Sequence, residues 1–232
     1  GIRSPRSTFE LSRAVLLPVP LERTTSYVPG TRGGPREILL ASAQLELWDA
    51  ELQLSVHEEG IATLPEMELP FEAITEALAE VQRVAALIFE YNKFLVTLGG
   101  EHSITGPIVG AAADRFPNLS VLQIDAHADL RQSYRGSRWS HACVMRRVLE
   151  RVPCTQVGIR SLSAEEARDA PALPTQIFYD VTMREDPAWM DRVVDTLGPT
   201  VYITIDCDGL NPAEMPAVGT PEPGGLSWRE LL

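Results

Sequence analysis

Two apolar runs in this chain stop at clusters of carboxylate and imidazole, and no other feature restricts the possible folds as much. Leu119-Ser-Val-Leu-Gln-Ile124 runs into Asp125-Ala-His127-Ala-Asp129, and Val201-Tyr-Ile-Thr-Ile205 runs into Asp206-Cys-Asp208. Each run reads as a buried strand. Side chains alternate along extended backbone, so Asp125, His127 and Asp129 leave it on one side as a ligand array. A third strand-like run, 93–98, ends at Gly99-Gly100-Glu101-His102 and places His102 at a strand-to-helix turn. Open α/β sheets hold their sites at the carboxyl ends of strands, where all three clusters fall.

The rest of the chain supports such a sheet. Further strands are expected at 14–19, around Ile61, at 155–159 and at 176–179. Helical patterns are expected at 35–45, 70–88, 104–116, 141–151 and 188–197. In the 70–88 segment Ile74, Leu78, Val81, Val84, Leu87 and Ile88 recur at intervals of three and four, the spacing of a helix packed on a sheet. Strands alternating with helices give an α/β class, a three-layer α/β/α fold with a mostly parallel central sheet. With 44% hydrophobic residues, 1–232 reads as a single domain with one sizeable core.

Charge and cysteine content narrow the partners. A net charge of −12 argues against nucleic acid, whose binding relies on basic clusters, and favours cationic small molecules. Cys143, Cys154 and Cys207 are odd in number and lack C-x-x-C spacing, so neither a disulfide framework nor a zinc ribbon is indicated. No run approaches the roughly 20 apolar residues of a membrane span. Pro18 and Pro20 interrupt the first apolar run after Arg3, Arg6 and Arg13, which leaves no secretory h-region. A reducing cytoplasm is the expected location.

Either cluster alone is unremarkable in a polar loop. Six candidate ligands at three strand ends are another matter, because burying unpaired carboxylates is very costly unless cations neutralise them. Asp125, Asp129, Asp206 and Asp208 offer oxygen, and His102 and His127 offer nitrogen. That mixture suits manganese better than zinc. Four carboxylates overcharge one cation, and two divalent ions balance them while holding a bridging water as hydroxide. His57 lies in a polar stretch and is expected at the surface. Alternation turns Cys207 away from its flanking aspartates, so it is expected to be a small core residue. Neither Gly99-Gly100 nor Gly224-Gly225 has the spacing of a nucleotide loop.

Taken together, Gly99-Gly-Glu-His-Ser103, Asp125-Ala-His-Ala-Asp129, Ser140-His141 and Asp206-Cys-Asp-Gly-Leu-Asn-Pro212 resemble the signature motifs of the ureohydrolases, the arginase and agmatinase family. The likeness extends from 30–38 to Gly219-Thr-Pro-Glu-Pro-Gly-Gly225, in the family's order, over nearly the whole chain. Asp129-Leu-Arg131 and Ser140-His-Ala-Cys-Val-Met-Arg146 are more similar to agmatinases than to arginases. The resemblance implies two manganese ions, one held by His102, Asp125, Asp129 and Asp206 and the other by Asp125, His127, Asp206 and Asp208. It implies hydrolysis of a small guanidino substrate to urea and an amine, with agmatine to putrescine as the leading case. Asp129 would orient the attacking hydroxide. His141 is the natural proton donor to the departing amine, since imidazole titrates near neutrality. A homo-oligomer, trimeric or hexameric, is implied as well.

Two alternatives share those residues. The segment 131–140 carries Arg131, Arg135 and Arg138 with Tyr134 and Trp139; if these arginines face inward, the substrate is a guanidino acid, or arginine itself. The other alternative is a catalytically silent, metal-binding or regulatory member. It is motivated by a further guanidinium-binding acid and a sheet strand that the resemblance places downstream of the Gly-Thr-Pro segment. Leu232 precedes both, and Glu222 does not take over that acid's role. Ser227-Trp-Arg-Glu230 has capping-box spacing and announces a helix, so the natural chain is expected to continue into a further strand and helix.

Overall fold

In the computed structural model, which describes residues 5–232, every paired strand runs parallel to its neighbour. The α/β class read from the sequence is therefore present, and its strands fall into two sheets belonging to two compact units. Among the described residues no helix is long and apolar enough to cross a membrane.

The first unit comprises the chain up to Arg23 together with Gly30–Glu101. It contains β1 (Ala14–Val19), α1 (Gly34–Ala41), β2 (Ile61–Thr63), α2 (Ile74–Glu90) and β3 (Phe94–Gly99), with strand order β2-β1-β3. Val15, Leu17 and Val19 are buried on one side of β1, as a period of two requires. Along α2, Ala77, Val81, Ala85 and Phe89 follow one another at i, i+4 spacing on the buried face. This helix begins later than the expected 70, because Ala73 is extended (φ −122, ψ 144) and the Pro70 carbonyl is taken by the Arg23 guanidinium. His57, expected at the surface, is half-buried with its Nδ1 enclosed.

The second unit joins Thr24–Pro29 to His102–Leu232. Its elements are α3 (Thr105–Arg115), β4 (Leu119–Ile124), α4 (Val144–Val148), β5 (Cys154–Ile159), α5 (Ala164–Asp169), β6 (Thr175–Tyr179), α6 (Asp180–Met183), α7 (Trp189–Asp195), β7 (Thr200–Ile205) and α8 (Trp228–Leu231). The sheet order is β6-β5-β4-β7. All six residues of β5 are buried, as in a central parallel strand covered on both faces. The chain steps outward from β4 to β5 to β6 and then returns to place β7 on the other side of β4. That reversal makes the carboxyl ends of β4 and β7 the switch point, the place where such sheets bind ligands.

Local signals set several boundaries. Ser163 and Glu166 form a capping box that starts α5, and Ser227 and Glu230 form another that starts α8. The expected 141–151 helix opens as a tighter 3-10 turn, His141–Cys143, before α4. Cys207 corrects an expectation. The backbone leaves the strand at Asp206, whose side chain accepts the Asp208 N–H, and Cys207 enters a 3-10 turn (Cys207–Gly209) where it is exposed instead of buried in the core.

Candidate metal centre

Register alone brings the two sequence clusters together. Ile124 of β4 pairs with Ile205 of β7, so Asp125 and Asp206 leave adjacent strands at the same level. The Asp206 N–H donates to the Ile124 carbonyl at 2.9 Å and fixes that alignment. Behind the pair stands Gly209. A Cβ there would lie 2.9 Å from the Asp125 nitrogen, so only glycine lets the Asp208 turn approach the first cluster this closely.

The side chains converge in two groups whose ligand atoms lie within 4.8 Å of one another: His102, Asp125 and Asp129, and Asp125, His127 and Asp208. Asp125 belongs to both. His102 Nδ1 is 3.1 Å from Asp125 Oδ2, 3.1 Å from Asp129 Oδ2 and 3.7 Å from Asp206 Oδ2. On the other side His127 Nδ1 is 3.1 Å from Asp208 Oδ2 and 3.7 Å from Asp125 Oδ1. All six residues singled out in the sequence therefore meet in one place. Asp206 belongs to neither group and reaches them through His102 and through the Asp208 N–H, which donates to its Oδ1 at 3.1 Å.

A ring of hydrogen bonds outside the cluster orients it. Buried Gln123 donates to Asp125 Oδ2 at 2.7 Å and to the His127 carbonyl at 3.2 Å, and Gln156 donates to the Ala128 carbonyl at 2.7 Å. Thr204 Oγ1 lies 3.0 Å from His102 Nε2, which leaves Nδ1 for the carboxylates. Asp129 sits at φ 53, a left-handed conformation held by Leu130 N–H donating to Glu166 Oε1 at 2.9 Å. Arg160 donates to the carbonyls of Gly158, Asp208, Leu210, Glu222 and Pro223, tying the Asp208 turn to the 219–225 segment. Gln123, Gln156, Thr204, Glu166 and Arg160 were not singled out from sequence. Gln123 alone carried a signal, being a polar residue within an apolar run, two positions before Asp125 and on the same side.

The electrostatics fit cations. Burial raises the Asp129 and Asp208 carboxyls above the ordinary range, and nearby Asp125 adds to it. Asp206 is pushed up to about 8 by desolvation, then by Asp125 and Asp208. Against their own burial, both imidazoles are raised by the carboxylates: His102 well above its usual value by Asp125 and Asp129, His127 to about 11 by Asp125 and Asp208. Burial works the other way on Asp125, yet His102 and His127 hold it low. Without metal, the cluster keeps protons to offset its crowded charge. Oxygen donors in excess over imidazole, convergent and buried, are a donor set for hard divalent ions.

His141 stands in a cage of hydroxyls. Its Nδ1 is 3.1 Å from Thr24 Oγ1 and 3.3 Å from Ser140 Oγ, its Nε2 is 3.4 Å from Ser26 Oγ, and the Tyr134 ring meets it edge-on at 5.9 Å. The arginines of 131–140 are otherwise engaged. Arg131 lies over Tyr134 with Nε 3.6 Å from Glu166, Arg135 lies against the same ring, and Arg138 pairs with Glu150 at 2.8 Å.

Comparison with known proteins agrees with this geometry. The sequence pattern of the Arginase family matches residues 12–232. An N(1)-aminopropylagmatine ureohydrolase of Thermus thermophilus is 38% identical over 225 residues, covering 97% of this chain and 77% of that protein. An agmatinase of Bacillus cereus is 35% identical over 230 residues, covering 97% of this chain and 78% of that protein. The crystal structure of the agmatine ureohydrolase of Thermoplasma volcanium superposes with a TM-score of 0.89 at 32% identity, covering 98% of this chain and 78% of that one. The fold is thus arginase-like.

Proposed function

The chain belongs to the arginase family, hydrolases of amidine C–N bonds, and on that premise we propose that it converts a guanidino amine of the agmatine type to urea and the corresponding amine. Agmatine to putrescine is the leading case. The observation that carries the reading is the convergence of His102, Asp125, His127, Asp129, Asp206 and Asp208 at the β4 and β7 ends. We assign His102, Asp125, Asp129 and Asp206 to one manganese and Asp125, His127, Asp206 and Asp208 to the other. When bound, such a pair supplies Lewis acidity and lowers the pKa of water.

The chain's own groups do the rest. Asp129, held in its left-handed turn, orients the attacking water and accepts its proton. His141, positioned by Thr24, Ser26 and Ser140, hands a proton to the departing amine, which leaves poorly as an anion. The guanidino-acid alternative is weakened here, because Arg131 and Arg138 face Glu166 and Glu150, while Arg135 lies against the Tyr134 ring. A second substrate, N(1)-aminopropylagmatine, is favoured by the relatives that carry its name. We place the reaction in the cytoplasm, in keeping with three free thiols, and in a homo-oligomer. The test is urea release by manganese-loaded protein from agmatine, N(1)-aminopropylagmatine, arginine and 4-guanidinobutanoate. A preference for either carboxylate-bearing substrate overturns the assignment.

A further inference from the structure

Two amides lie within the sheet of the second unit, where apolar side chains would be expected. Gln123 and Gln156 are register partners on β4 and β5, and both are fully buried. Glutamine is mostly an exposed residue, and an amide taken out of water is costly unless its hydrogen bonds are made. Here they are made, and all in one direction. The Thr175 hydroxyl, at the start of β6, donates to Gln156 Oε1 at 3.1 Å; Gln156 Nε2 donates to Gln123 Oε1; and Gln123 Nε2 donates to Asp125 Oδ2 at 2.7 Å. Each amide also gives a hydrogen to the main chain, Gln156 to the Ala128 carbonyl at 2.7 Å and Gln123 to the His127 carbonyl at 3.2 Å.

Direction matters because the two ends of an amide have nearly the same shape and opposite hydrogen-bonding roles. Reversed, Gln123 would set a carbonyl oxygen against the Asp125 carboxylate. Main-chain carbonyls only accept, so Ala128 fixes which end of Gln156 is the nitrogen. Gln156 then meets Gln123 with an N–H, which only the Gln123 oxygen can take, and both Gln123 hydrogens are left for Asp125 and His127. Asp125 is the residue common to both ligand groups, and it is oriented by a chain that starts on β6 and crosses β5. In that chain Gln156 bonds to no ligand side chain. A methionine there would fill much the same space, so packing does not call for an amide.

We propose that Gln156 is a positioning residue for the metal centre, acting on Asp125 through Gln123. The assignment rests on the reading of the six residues as a manganese site and not on the choice of substrate. Manganese is titrated calorimetrically into metal-free wild type, Q123M, Q156M and the double variant, with urea melts of the same proteins to establish that each is folded. Q123M removes a partner of Asp125 itself and should weaken manganese binding about 10- to 100-fold. Q156M acts one bond further away and should weaken it roughly three- to tenfold, and in the Q123M background it should add nothing. A loss of the same size with and without Gln123 would make the residue structural, and an unchanged affinity would take it out of the centre; both overturn the proposal. Should Q156M fail to fold, T175V removes only the hydroxyl that engages Gln156 Oε1. A loss present with Gln123 and absent in Q123M then supports the assignment, while no loss, or an equal one in both, overturns it. A wild type that takes up no manganese ends the metal reading and this assignment with it. One that binds manganese and releases urea from no guanidino compound ends only the hydrolase reading.

Discussion

The floor of the site and its rim are built on different principles. The four aspartates and His127 of the floor follow the ends of β4 and β7, where ladder hydrogen bonds and a glycine approach fix Asp125 and Asp206, and His102 opens the turn before α3. The rim, 131–140 and the Glu222 segment, has no ladder and is placed by side chains reaching across the sequence: Arg160 to Glu222 and Pro223, Arg131 to Glu166, Arg138 to Glu150. Strand ends set the level of the charged cluster, while side-chain tethers hold the rim, and two of the tethering residues also reach the floor: Arg160 at the Asp208 carbonyl and Glu166 at the Leu130 N–H beside Asp129. Chemistry should therefore be lost through the floor and selectivity through the rim.

The hardest test of that division is Asp125→Asn, with Asp206→Asn beside it. Asp125 serves both ligand groups, and an amide brings no charge to either. Since losing an outer hydrogen-bond partner of a ligand typically costs 10- to 100-fold in metal affinity, losing Asp125 itself should cost more than about 100-fold, with activity following. Metal analysis after dialysis checks it, and retention of two manganese ions per chain would break the assignment of the floor.

His141→Ala should separate chemistry from metal. The imidazole contacts hydroxyls of Thr24, Ser26 and Ser140 and no member of the two ligand groups, so manganese content should survive. Turnover should fall by about 10²-fold or more, the scale of a lost general acid. Metal loss in this variant would make His141 structural, and unchanged turnover would take it out of the mechanism.

How much of this was legible follows the same division. β4, β7 and the six candidate positions are legible because alternation and apolar runs are local, and parallel register then brings two distant clusters together. The backbone conformation just past a strand is not local in that way. Alternation extended one residue too far, past the Asp206 cap that starts a turn, puts Cys207 in the core, whereas the turn exposes it. Helix α5 is too short to show apolar periodicity, and its only local signal is the Ser163 and Glu166 capping spacing, the same one that announces α8. Arg160 gave no signal at all, since what it does depends on five carbonyls from segments distant in sequence. For the same reason the arginines of 131–140 could be counted in the sequence while their partners could not.

Removing metal should expose the strain of the floor as a pH dependence. In the metal-free protein burial first, then Asp125 and Asp208, raise Asp206 to about 8; His127, lowered by its burial, is lifted by Asp125 and Asp208 to about 11. Both values exceed those of the unfolded chain, so the folded protein keeps protons that the unfolded one has released. Stability contributed by these groups is complete below their unfolded pKa values and is lost as pH rises, through 8 for Asp206 and on toward 11 for His127. Divalent cations take the place of those protons and should flatten the profile. Urea melts of chelator-treated protein should give a higher midpoint at pH 5 than at pH 9, with the gap narrowed by manganese. A gap of equal size with and without the ion would separate the charge cluster from metal binding.

Arg138→Ala should have the smallest effect, and it tests whether the rim's positive charge touches the substrate. Arg138 lies against the Trp139 ring and pairs with Glu150 at 2.8 Å, with both side chains about half exposed. Exposed pairs contribute about 0 to 1 kcal/mol, so stability should move by no more than that. If the arginine stays on Glu150 during turnover, KM for agmatine and for 4-guanidinobutanoate should shift together, if at all. Were it to swing inward to meet a carboxylate, its loss would raise KM for the guanidino acid alone, because only that substrate brings an anion to the rim. The ratio of the two KM values in wild type and variant is the quantity to measure. A constant ratio leaves the rim's arginines as braces for the 131–140 segment.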